Sequence, residues 1–155
     1  MIYTVTFNPA LDYVMKVEKL QFDDINRTYG EELNYGGKGI NVSVILSRLG
    51  VENTALGFQA GFTGEKLEEL LKADGIKTDF IALKNGMTRI NVKIKAQTEL
   101  DINAVGPPIE ADEVERLFEK IKAFQSGGVI VLAGSVPGTL PPDIYEKILS
   151  VTSKS

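Results

Sequence analysis

The sequence contains neither cysteine nor histidine. Without cysteine there is no disulfide, no thiolate nucleophile and no thiolate metal site. Without histidine, Ser-His-Asp chemistry and every imidazole-ligated metal site fall away. A general base in this chain is therefore Asp, Glu, Lys or Tyr. No block of like charge stands out either: 17 Lys and Arg face 21 Asp and Glu, for a net charge of −4. The basic residues are interspersed among the acids, so neither nucleic acid nor an anionic membrane is an expected partner. A mildly acidic average is still compatible with a local cationic pocket. No apolar run approaches the roughly 20 residues of a membrane helix. The first seven residues are short and apolar with no basic stretch ahead of them. They read as a first strand rather than a secretory signal, and a cytoplasmic location is the expectation.

What is present is the composition of an ordinary globular domain, 43% hydrophobic and 25% charged over 155 residues. A chain of this length suits one domain and can bury roughly 70% of its unfolded surface. Residues 2–7 are β-branched and aromatic and stop at Asn8-Pro9, as a buried strand ending in a turn would. Residues 13–20 and 27–33 are short mixed segments, readable as strands. A helix is predicted after Gly36-Gly37-Lys38-Gly39, with Val42, Ile45, Leu46 and Leu49 at helical spacing and Gly50 as its stop. Residues 54–58 form a further strand. Thr63 is placed to cap a second helix, with Leu67, Leu70 and Leu71 inward and Gly75 beyond its end.

Residues 80–83 read as another strand. Residues 88–95 alternate strictly, with Ile90, Val92 and Ile94 on one face and Arg89, Asn91, Lys93 and Lys95 on the other. A third helix with Val114, Leu117, Phe118 and Ile121 inward follows Gly106-Pro107-Pro108. The continuous apolar run 129–133 suits a central parallel strand, and Pro141-Pro142-Asp143 opens a fourth helix. Strand-helix alternation of this kind predicts an α/β fold with a parallel sheet and crossover helices, to which the half-exposed strands add a small second sheet. With its last strand at 129–133, the sheet is expected to keep an edge that a longer chain would cover.

The glycine loop is the most informative local feature. Glycines let backbone approach a ligand closely, and the helix that follows offers free N–H groups and a positive dipole end. Gly36 and Gly37 would supply the close approach, Lys38 a charge for a phosphate, and Asn41 both a donor and an acceptor, as a sugar diol requires. The same glycines would also serve a tight strand-to-helix turn, and composition leaves both readings open. The spacing matches neither Gly-x-Gly-x-x-Gly nor the Walker loop, which argues against dinucleotide and P-loop chemistry. Asp12, just after the first strand, and Ser135, just after the last, would stand outside the carboxyl ends of parallel strands, where ligands gather in such sheets. Each is also a common turn residue. Arg27 and Arg89 would lie on exposed strands, where a solvated arginine is the usual outcome. What favours function is convergence of several such groups at one sheet end.

The same residues carry a resemblance. Asn8-Pro9-Ala10-Leu11-Asp12, Gly36-Gly37-Lys38-Gly39-Ile40-Asn41-Val42-Ser43, Thr88-Arg89-Ile90-Asn91 and Gly134-Ser135-Val136-Pro137 resemble the successive N-terminal signatures of the PfkB, or ribokinase-like, carbohydrate kinases. Their order and spacing match over essentially the whole chain. The first two are similar to the versions in the phosphosugar branch, which holds 1-phosphofructokinases and tagatose-6-phosphate kinases. The resemblance implies a Rossmann-like domain over residues 1–155 with a β-sheet lid near 13–33 and 88–103. It implies that Asp12, Gly36, Gly37 and Asn41 hold sugar hydroxyls. Lys38, Arg89, Arg27, Ser135 and Asn91 would address hydroxyls or the existing phosphate of fructose 1-phosphate or a similar phosphosugar. It also implies ATP as co-substrate, Mg2+, and a homodimer clasped through the lids. The Gly-Ala-Gly-Asp motif that carries the family's anion hole and catalytic base does not occur in this sequence. On this reading the ATP-binding half is absent, and the chain holds no catalytic, cofactor-binding or metal residue of its own.

Overall fold

A computed structural model describes residues 1–124 and 127–152. In chain order the elements are β1 (Ile2–Thr6), β2 (Ala10–Lys16), β3 (Gly30–Gly36), α1 (Lys38–Arg48), β4 (Asn53–Gln59), α2 (Gly61–Ala73), β5 (Ile81–Ala82), β6 (Arg89–Lys95), β7 (Glu99–Ile102), α3 (Ala111–Lys122), β8 (Val129–Leu132) and α4 (Ile144–Thr152). They make the α/β architecture expected: a parallel sheet in the order β5-β4-β1-β8, and a separate small sheet in the order β3-β2-β6-β7. No helix among the described residues is long and apolar enough to cross a membrane.

Helices cover both faces of the parallel sheet. On one face Val5, Leu56 and Phe58 pack with Leu117 and Ile121 of α3 and Ile144 and Ile148 of α4. On the other, Ala55 packs with Ile40 and Val44 of α1 and Leu67 and Leu71 of α2. Full burial of side chains of this size contributes about 1.5–3 kcal/mol each, so these two layers fix where the strand ends lie. The small sheet mixes directions, β2 antiparallel to β3 and parallel to β6, with β7 antiparallel to β6.

The run 129–133 forms β8 over 129–132: among the described residues β8 pairs with β1, and Val129 is 53% exposed, so the sheet keeps the edge expected there. Several expectations are corrected. The small-sheet strands run 10–16 and 30–36 rather than 13–20 and 27–33. The ladder begins immediately after Pro9, with Ala10 opposite both Gly36 and Arg89. Asp12 is therefore a strand residue and not part of a turn. The segment read as 80–83 pairs over two residues only.

Helix α1 buries a face rotated from the expected one. Ile40, Ser43 and Val44 are buried, whereas Ile45 is 53% and Leu49 72% exposed. The cause is close approach to the sheet: a Cβ on Gly39 would lie 2.8 Å from the Val5 carbonyl oxygen, and Thr4 Oγ1 and Ser43 Oγ share a 2.6 Å hydrogen bond. Thr63 does not cap α2. It lies inside the helix, and its buried hydroxyl donates to the Thr88 carbonyl at 2.7 Å, tying α2 to the start of β6.

Candidate functional site

At the carboxyl end of the parallel sheet lies a cavity of about 170 Å³ lined from four directions. Thr6 and Asn8 come from the end of β1. Gly37, Lys38 and Asn41 come from the start of α1. Arg89 opens β6, and Gly134 and Ser135 follow β8. Of the residues expected at a site, Gly37, Lys38, Asn41, Arg89 and Ser135 are thus brought together. Gly36, the last residue of β3, is buried next to them, and a Cβ there would lie 2.9 Å from Asp12 Oδ2. A side chain at 36 would displace the carboxylate.

The features suited to an anion are physical and local. The first-turn N–H groups of α1 ahead of Asn41 have no intrahelical partner, and they carry the positive end of the helix dipole. No acidic side chain stands in that first turn to compete for them. Lys38 is exposed at the rim. Arg89 is held by two backbone carbonyls: Nη2 donates to Asn8 O at 3.0 Å and Nη1 to Ala104 O at 3.2 Å. Burial lowers the proton affinity of its guanidinium below the ordinary value, and the nearby Asp12 charge offsets part of that. An arginine so displaced is still a cation at neutral pH. Arg89 Nε and the Thr6 hydroxyl are buried without a hydrogen-bond partner among the described residues. Buried polar groups left this way are costly unless something else satisfies them.

Beside the cavity, on the polar face of the small sheet, Asp12 stands opposite Asn91. Asn91 Nδ2 donates to Asp12 Oδ1 at 2.9 Å, and Lys93 Nζ lies 3.7 Å from Asp12 Oδ2. Two expected residues are placed differently. Arg27 is exposed in the loop between β2 and β3 and does not line the cavity. Asn91 is buried, 6% exposed, with both ends of its amide engaged by protein. Thr6, Asn8 and Gly134 line the cavity without having been singled out for a role. Asn8 carried the one available signal, a polar residue between a strand end and a proline.

A charged, hydrogen-bonding cavity at a helix N-terminus and strand ends fits a small polyol carrying an anionic group. Comparison with known proteins settles the lineage. Residues 5–155 match the family model described as pfkB family carbohydrate kinase. The chain belongs to the pfkB family of carbohydrate kinases. It is 46% identical over 148 residues to a 1-phosphofructokinase of Bacillus subtilis, covering 96% of this chain and 48% of that protein. It is 38% identical over 155 residues to a D-tagatose-1-phosphate kinase of Bacillus licheniformis, covering all of this chain and 51% of that protein. Among solved structures it is similar to phosphofructokinase-2 from Escherichia coli in complex with fructose-6-phosphate, with a TM-score of 0.90 and 27% identity over 99% of this chain and 51% of that one. The chain thus spans about half the length of the relatives it matches. These relatives are phosphosugar kinases, and the ribokinase-like fold is shared.

Proposed function

We propose that the chain is the acceptor-binding part of an ATP-dependent phosphosugar kinase that converts fructose 1-phosphate to fructose 1,6-bisphosphate in the cytoplasm. The observation that carries this reading is the convergence of Arg89, Lys38, Asn41 and the α1 N-terminus on one cavity beside Asp12. Asp12 and Asn41 would hold hydroxyls, and Gly36 and Gly37 would admit the sugar to backbone distance. Arg89, Lys38 and Ser135 would hold the phosphate already present, with Arg27 contributing if its loop folds inward. Phosphoryl transfer rests on positioning and charge neutralisation rather than on covalent chemistry, and the residues of this chain position the acceptor. ATP and Mg2+ would act in the complete enzyme. Among the described residues no group of three or more acidic side chains gathers as a metal ion would need. A tagatose-phosphate kinase is the nearest second reading, favoured by the likeness to the Bacillus licheniformis enzyme. A non-catalytic sugar-phosphate-binding module is the reading from another class.

The chain by itself is expected not to turn over. Incubated with ATP, Mg2+ and fructose 1-phosphate, it should release no ADP above background. Turnover near ~1 s⁻¹, the low end of kinase rates, would refute the division of labour proposed. Titration by calorimetry or NMR should show fructose 1-phosphate binding more tightly than fructose. Equal binding of the two would remove the phosphate from the site.

A further inference from the structure

Ala104 lies between β7 and α3, in a segment that crosses from the small sheet back to the parallel one. Both of its backbone groups are taken by residues at the site. Its N–H donates to Asn91 Oδ1 at 3.2 Å, and its carbonyl accepts from Arg89 Nη1 at 3.2 Å. The next residue is held as well: Asn8 Nδ2 donates to Val105 O at 2.9 Å. The segment is packed tightly there, since a Cβ on Gly106 would lie 2.5 Å from Asn8 Oδ1.

This fixes the orientation of Asn91. A backbone N–H can only donate, so the end of the amide facing Ala104 must be the oxygen. The NH2 end is then turned to Asp12, where it donates to Oδ1 at 2.9 Å. Asn91 is 6% exposed, so water does not compete for either end. One oxygen of Asp12 is thereby engaged, which favours the rotation of the carboxylate that keeps this bond. The same Ala104 peptide segment steadies Arg89. The group suited to hydroxyls and the group suited to phosphate are therefore registered to one stretch of backbone.

We infer that Asn91 is a positioning residue: it does not contact the sugar but aims the Asp12 carboxylate, its own amide being oriented by the Ala104 N–H. The inference rests on the reading of the cavity as a phosphosugar site.

The test is a double-mutant cycle on the whole 155-residue chain, with fructose 1-phosphate as the probe in NMR titration. Asn91→Ala should weaken binding by ~10-fold, as loss of a hydrogen bond to a charged group does. In the Asp12→Ala background the same change should cost less than ~2-fold, because a residue acting through another has nothing left to act on. Asn91→Asp separates aiming from simple loss of structure. It keeps an oxygen for the Ala104 N–H and, once ionised, faces Asp12 with a second carboxylate in place of a donor, so the titration is read at a pH high enough that the two carboxyls do not share a proton. Hydrogen exchange at Ala104 should stay slow in that variant while affinity falls as far as in Asn91→Ala, and this arm stands even if the alanine variant fails to fold. Additive losses in the cycle, or wild-type affinity in Asn91→Asp, would overturn the inference while leaving the site intact. Absence of any fructose 1-phosphate binding by the unmutated chain would instead refute the site itself, and the inference with it.

Discussion

Arg89 and Asp12 lie at neighbouring register positions of the small sheet, yet their side chains suit different halves of a phosphosugar. Arg89 brings a guanidinium fixed by the Asn8 and Ala104 carbonyls, with Nε still free of protein partners. A charge-assisted contact of this kind is worth ~1.5–3 kcal/mol. Arg89→Ala should therefore remove most of the preference for fructose 1-phosphate over fructose. Asp12→Ala should weaken both ligands alike, because its carboxylate would accept from hydroxyls that the two sugars share and would not touch the phosphate. Parallel titrations of the two variants with the two sugars give the ratio directly, and an unchanged ratio in Arg89→Ala would assign the phosphate elsewhere. Thr6 belongs to the same scale. Its unpartnered buried hydroxyl at the end of the central strand is a donor and acceptor waiting at the cavity floor.

Helix α3 illustrates how one carboxylate organises an element. Glu113 is 1% exposed, and it accepts from the Lys84 N–H at 2.8 Å and from the Glu110 N–H at 2.8 Å. It closes the first turn of the helix and pins it to the chain beyond β5. Glu113→Ala leaves two part-buried N–H groups without their acceptor and should cost about 1–3 kcal/mol of folding stability, read as a lower denaturant midpoint. Glu113→Gln keeps one acceptor and should lose less. Equal stability of wild type and alanine variant would show that water replaces the carboxylate. Helix α1 obeys a different rule. Gly39 and Ser43 face the sheet because the helix lies close against β1, and that closeness is what sets its N-terminus at the cavity.

At the scale of the molecule, the small sheet has one polar and one apolar face. The polar face carries Asp12, Asn91 and Lys93 toward the site. On the other, the register aligns Tyr13, Val92 and Ile102 in one row and Met15, Ile94 and Leu100 in the next. Ile90 packs on the second core cluster, but Leu100 and Ile102 are 38% and 55% exposed, and nearby Phe62 is 71% exposed. An apolar face of this kind needs a cover. A homodimer through these faces is the proposed cover. Sedimentation at micromolar concentration should give a dimer, and Ile102→Asp should shift it to monomer without loss of the fold. A monomer for the unmutated chain would refute that arrangement.

Composition and pattern alone determined much of this. The alternation of strands with helices and the strict period of residues 88–95 required an α/β chain with a half-exposed second sheet. The glycine loop before a helix marked the end of the sheet where the cavity lies. What pattern could not decide depended on distances between segments far apart in sequence. The apolar run 129–133 reads as a parallel strand by hydrophobicity, but which strand it joins is a matter of pairing, and only the fold sets it beside β1. The most apolar stripe of α1 reads as its buried face, but a helix pressed against a sheet buries its small residues first. Asn91 reads as a ligand-facing polar residue from its side of the strand. Only the fold brings Ala104 and Asp12 to its two ends, because a side-chain amide takes its role from what is placed within 3 Å or so of it.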